Sequence, residues 1–121
     1  MLYKENIVIN HHYKYITKEI SRLKYWLGSY NHYAPRHIKL VPGDTELLEQ
    51  IKTKSESQLR LLKCAKRRAE KATDENQWEI ALELERSQQE YIKNTLILNA
   101  LANTAMENLD KSISKERKEN E

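Results

Sequence analysis

Apolar residues recur three or four positions apart through most of the chain, the period of one helical face. In the first stretch Tyr13, Ile16, Ile20, Leu23 and Leu27 follow at intervals of 3, 4, 3 and 4. Lys14, Lys18, Arg22 and Lys24 stand off that stripe, so the pattern predicts an amphipathic helix over residues 9–27. Ile7-Val8-Ile9 fits a short strand and an extra helical turn equally well. Gly28 suits a helix end. From there to Gly43 the punctuation predicts a loop. Pro35 disfavours helix at Ala34, and Pro42-Gly43 makes a second break. The alternation from His37 to Val41 would suit a strand, but there is no second strand for it to pair with. An extended connection packed on the bundle is therefore expected for residues 28–43.

The next stripe is Leu48, Ile51, Ser55, Gln58, Leu62, Ala65, Ala69 and Ala72, polar in its middle and small at its end. It predicts a helix over residues 44–72 with Asp44 as N-cap and Glu46 near the positive helix end. A third stripe keeps the 3/4 spacing for about four heptads: Ala81, Leu84, Gln88, Tyr91, Thr95, Leu98, Ala102, Ala105 and Leu109. Asp74 with Gln77 forms a D-x-x-Q capping pattern ahead of it, so a helix over residues 75–112 is expected. Ile92, Leu96, Ile97, Leu101 and Met106 lie off the stripe, a surplus that calls for burial on several sides. The charged stretch 114–121 is expected to be a flexible tail.

Charge decides between a hairpin and a single rod over residues 44–112. Residues 44–72 carry net +3 and residues 73–121 net −5. Antiparallel folding would bring Arg60, Lys63, Arg67 and Lys71 near Glu75, Glu79, Glu83 and Glu90. Exposed pairs add only ~0.2–1 kcal/mol each, so they bias the register and do not drive folding. The expected fold is all-α: a small bundle of an N-terminal helix plus a long antiparallel hairpin, in one domain spanning residues 1–113. A coiled-coil rod is the competing architecture.

Composition then narrows the function. The chain has 121 residues, with 2 Gly, 2 Pro and 1 Cys. A glycine fingerprint for dinucleotides needs three glycines at fixed spacing and a phosphate loop two, and neither spacing exists here. One cysteine excludes a disulfide framework. Lys4, Glu5 and Asn6 interrupt the first ten residues, so no signal-peptide core is read there. The longest apolar run near the C-terminal end, Leu96-Ile97-Leu98, is far short of the ~20 residues of a membrane span. No membrane partner and a cytoplasmic location are expected. The 14 Lys, 10 Ile, 9 Asn and 7 Tyr use AT-rich codons, which points to a low-GC bacterial, phage or plasmid gene.

Three groups of residues could carry chemistry. Tyr25, Trp26, Tyr30, Tyr33, Arg36 and Lys39 interleave rings with cations, as protein hot spots do. Residues 1–43 carry net +5, so an acidic partner is expected there. Arg60, Lys63, Arg67 and Lys71 share a helical face that could follow a phosphate backbone. Ile97, Leu101 and Thr104 mark a strip that hairpin and first helix together would leave open, so a homodimer is expected through it. His11, His12, His32 and His37 show no metal-ligand spacing and read as surface histidines. Cys64, beside Ala65, reads as a small buried residue. No glutamate is followed three residues later by histidine, which excludes a carboxylate-bridged di-iron pattern. No catalytic residue, metal or cofactor is expected, and no family signature is recognised. The pattern points to a non-enzymatic protein-binding module acting as a regulator, inhibitor or assembly factor. The alternative is a nucleic-acid-binding accessory protein that uses the basic face and the aromatic loop.

Overall fold

The computed structural model describes residues 5–119. Three α-helices follow one another: α1 (Ile7–Leu40), α2 (Thr45–Glu70) and α3 (Gln77–Glu119), with a 3-10 turn at Pro42–Asp44 between the first two. No strand occurs among the described residues. The chain turns at residues 71–76, so α2 and α3 form the antiparallel hairpin of a three-helix bundle and the continuous rod is not formed. α1 and α3 run parallel. They are joined along their lengths by Asn6 to Gln77, His12 to Gln88, Tyr91 to Glu19 and Ser112 to Leu40.

The undecided Ile7-Val8-Ile9 is the first turn of α1. Asn6 starts it, because its Oδ1 accepts the Ile9 amide at 3.1 Å and so satisfies an orphan donor of the helix end. The far end of α1 overturns the expected loop over residues 28–43. The helix runs through Gly28 and Pro35 to Leu40. The stripe itself continues, with Tyr30, Ala34, His37 and Val41 following Leu27 at 3, 4, 3 and 4. Pro35 has no N–H to give the Asn31 carbonyl, but both residues are exposed and water can reach that group. Tertiary packing of Trp26, Tyr30 and Ile38 outweighs this local cost. Within the expected tail, α3 continues through Glu119; residues 120 and 121 lie outside the described residues.

One cap differs from expectation. Asp44 occupies the N-cap position of α2, but no side-chain bond caps the helix. Ahead of α3, Gln77 Nε2 donates to the Asp74 carbonyl at 3.2 Å, and Asn76 stands between them at the helix start. The Asn76 carbonyl accepts the Ile80 amide at 3.0 Å, and its side chain accepts from the Thr73 amide and donates to the Lys71 carbonyl. Asn76 thus ties the turn shut as well as opening the helix.

The three stripes bury where they should. Ile16, Ile20 and Leu23 of α1, Leu62, Ala65 and Ala69 of α2, and Ala81, Leu84 and Tyr91 of α3 meet in one cluster. A smaller cluster of Leu48, Ile51, Leu98 and Ala105 lies toward the other end. Between them sits a polar layer. Gln58 Nε2 donates to the Tyr91 carbonyl at 3.1 Å and to Thr95 Oγ1 at 2.9 Å, and Ser55 Oγ bonds the Ile51 carbonyl. The polar middle of the second stripe is therefore a satisfied layer that sets the register of α2 on α3. The ion pair across the hairpin is Arg68–Glu83 at 2.6 Å, made by a residue outside the basic stripe. That guanidinium lowers the Glu83 carboxyl below its usual range.

Two outcomes follow. A Cβ added at Gly28 meets nothing within 4 Å, and its φ is not positive. Gly28→Ala should therefore stabilise the bundle by about 0.5–1 kcal/mol in a denaturant titration. A loss of stability would mean that the chain turns there. Burial, and then the Glu19 carboxylate, push the Tyr91 phenol up to about 12. Its folded value exceeds the ordinary value of about 10, so the native state favours the neutral phenol. That stabilisation is complete below pH 10 and is lost as pH rises toward 12. Tyr91→Phe should move the alkaline unfolding midpoint, followed by circular dichroism, to higher pH; an unmoved midpoint would refute the assignment.

Candidate functional site

The second cluster is small because α1 and α3 leave a groove between their C-terminal halves. Its volume is 1280 Å³. One wall is Trp26, Tyr30, Tyr33, His37 and Leu40 of α1, at intervals of 4, 3, 4 and 3. The other is Ala102, Met106, Leu109 and Ile113 of α3, at intervals of 4, 3 and 4. Leu48 and Ile51 of α2 form the floor. Ala34, Ala102 and Ala105 carry too little side chain to fill the space. The mouth carries Arg36, Lys39 and Arg117 against one carboxylate, Glu116.

Aromatic stacking shapes the inner end. The Trp26 and Tyr30 rings lie 5.4 Å apart at 19°, an offset stack. The Tyr30 hydroxyl donates to the Leu48 carbonyl. Burial, and secondarily the Glu49 carboxylate, raise the Tyr30 phenol above its ordinary value. It therefore remains a neutral donor at physiological pH.

Asp44 fixes the outer end. Its Oδ2 lies 2.8 Å from His37 Nε2 of α1, and its Oδ1 accepts Asn108 Nδ2 of α3 at 2.9 Å. Beside it Ser112 Oγ donates to the Leu40 carbonyl at 3.1 Å. Asp44 and His37 are both buried. One carboxylate thus holds the start of α2 to both other helices, which is why it caps nothing.

The expected partner-binding residues divide between wall, mouth and outside. Trp26 and Tyr30 are half-buried and belong to the packing as well as to the groove wall. Tyr33, Arg36 and Lys39 are exposed around the opening. Tyr25 is outside it, 80% exposed on another face of α1. Arg60, Arg67 and Lys71 stand exposed and Lys63 half-buried on α2, and the groove lining includes none of the four. In the self-association strip Ile97 and Thr104 are exposed, whereas Leu101 packs against the second cluster.

Three further readings change. His37 is buried on Asp44, and His12 is half-buried on Gln88 at 2.5 Å, so neither is a plain surface histidine. Cys64 is exposed, because Leu62 and Ala65 turn inward and leave it outward. The α3 wall is the part that sequence reasoning missed. Ala102 and Leu109 belong to the third stripe, and Met106 and Ile113 at the same 3/4 spacing complete the wall. Among the described residues, no three His, Cys, Asp or Glu side chains are grouped to hold a metal ion. No helix among them is long and apolar enough to cross a membrane.

Asp44→Ala should orphan both the buried His37 ring nitrogen and the Asn108 amide, at about 1–3 kcal/mol for each group left without a partner. Urea denaturation measures the loss. A change within about 0.5 kcal/mol, the usual range for a surface residue, would show that the junction holds nothing.

No protein-family model matches the chain, and neither a curated protein nor a solved structure is significantly similar to it.

Proposed function

We propose that this chain is a non-enzymatic helical module that binds an amphipathic helix of a partner protein in the α1/α3 groove. The observation that carries this reading is the groove itself: an apolar trough with a cationic mouth. Each wall is ruled at the 3/4 spacing into which a helix's own ridges fit. From Trp26 to Leu40 the wall is about 21 Å long, room for roughly 14 helical residues. Arg36, Lys39 and Arg117 outnumber Glu116 at the opening. The bound helix therefore carries Asp or Glu beside its apolar stripe. Such a module serves as a regulator, inhibitor or assembly factor by occupying its partner's helix.

Placement weighs against the nucleic-acid alternative. Its stacking rings and its basic stripe would have to cooperate. Instead Trp26 and Tyr30 stack on each other in the groove, while Arg60, Arg67 and Lys71 stand exposed on α2, outside it.

Fluorescence polarisation tests the reading with two 14-residue helical peptides sharing a Leu/Ile stripe, one flanked by Glu and one by Lys. The Glu peptide should bind at least about tenfold tighter and weaken as salt rises. Arg36→Glu with Lys39→Glu, both at exposed positions, should reverse that order. Equal binding of both peptides, or sub-micromolar binding of single-stranded DNA with neither peptide bound, would overturn the reading.

A further inference from the structure

The side of α3 turned away from the bundle carries a stripe that the groove does not use. Trp78, Leu82, Glu85, Gln89, Ile92 and Leu96 follow one another at 4, 3, 4, 3 and 4, and every one is exposed. Trp78 is 68% and Leu96 67% accessible, so the apolar members are no mere edge of the core. The core residues Leu84, Tyr91 and Leu98 lie on another side of the same helix, roughly 120–160° round from Trp78, with Ala81 between the two faces. This is the spacing of a coiled-coil seam, with two polar positions at its centre.

The order of residues along the seam is self-complementary in one orientation. With a second copy antiparallel and the two-fold axis at the level of Ser87, Trp78 meets Leu96 of that copy and Leu82 meets its Ile92. Glu85 meets Gln89, a carboxylate facing an amide donor. On the flank, Glu79 falls beside Lys93 of the other copy, twice by symmetry. Arg86 falls beside Arg86 of the other copy, a like-charge contact, with Glu90 one turn further along each helix. A parallel pair would instead oppose Glu85 to Glu85 at the centre of the seam. We infer that the outward face of α3 is a homodimer interface, an antiparallel seam of Trp78, Leu82, Ile92 and Leu96 with Glu79–Lys93 pairs at its edge. This moves self-association off Leu101, which the bundle itself covers, and onto the opposite side of the helix.

The pairing buries two tryptophans and six aliphatic side chains, in two apolar ends on either side of the central Glu85 and Gln89. The seam from Trp78 to Leu96 is about 27 Å long. Two bundles joined back to back along it leave both grooves open, so the dimer and the groove stand or fall separately.

Sedimentation equilibrium of the full chain is the test. The parent should dimerise in the micromolar range. Leu96→Lys and Trp78→Lys should each raise the dissociation constant about 100-fold or more, with helix content by circular dichroism unchanged. Glu79→Lys and Lys93→Glu should each weaken the dimer alone. Mixed one to one they should restore it, because each like-charge contact becomes an opposite one. A parent still monomeric at ~100 μM overturns the inference, as does a dimer insensitive to Leu96→Lys and Trp78→Lys. Failure of the mixture to recover overturns the antiparallel order. The groove peptides leave these residues untouched, so neither result depends on the other.

Discussion

A carboxylate withdrawn from water must find donors, and Asp44 finds them on both neighbouring helices. That requirement fixes the upper end of the bundle. The 3-10 turn at Pro42–Asp44 brings the carboxylate to the place where α1 stops, and Asn108 commits α3 to the same point. Below it, the polar layer of Gln58, Tyr91 and Thr95 sets the register of the hairpin. Between these two polar anchors the helices cannot slide, so the alanines of α1 and α3 remain opposite one another and the space between them stays open. The groove is thus a result of where polar groups had to be satisfied, as much as of which side chains are small.

The asymmetry of the two apolar clusters follows from the same arrangement. In the lower half, branched residues of all three helices interlock and the centre is full. In the upper half, Trp26 and Tyr30 pack at the inner end, and Tyr33 and Met106 remain exposed beside the groove. A three-helix bundle that was filled throughout would offer no site. This one keeps its packing at one end and its accessible apolar surface at the other.

Much of this was legible in the sequence, for a physical reason. Helical periodicity reports burial directly, so the α2 stripe from Leu48 to Ala69 and the α3 stripe from Ala81 to Ala105 mark the core with few exceptions. Punctuation misled where it competed with that signal. Gly28 and Pro35 are weak helix formers, but their local cost is modest against the packing of Trp26, Tyr30 and Ile38, and the helix runs on. Reading the 3/4 spacing past Leu27 would have found this. Trp26, Tyr30, Tyr33, Arg36 and Lys39 stand together in the sequence, but that they border a groove was not readable, because the opposite wall lies about 70 residues away in sequence. Polar partners such as His37 with Asp44 follow no periodicity at all, and only the tertiary arrangement reveals them.

The parallel pairing of α1 with α3 also bears on how the chain is made. Asn6 reaches Gln77, Glu19 reaches Tyr91 and Leu40 reaches Ser112, so each tie waits for a residue more than 70 positions downstream. During synthesis α1 and α2 can pair as soon as both have emerged, whereas α3 closes the structure last and from its own N-terminus onward. The groove has its second wall only when residues 102–113 are free of the ribosome. Until then the nascent protein leaves the groove side of Trp26 and Tyr30 facing water, even with α2 in place behind them.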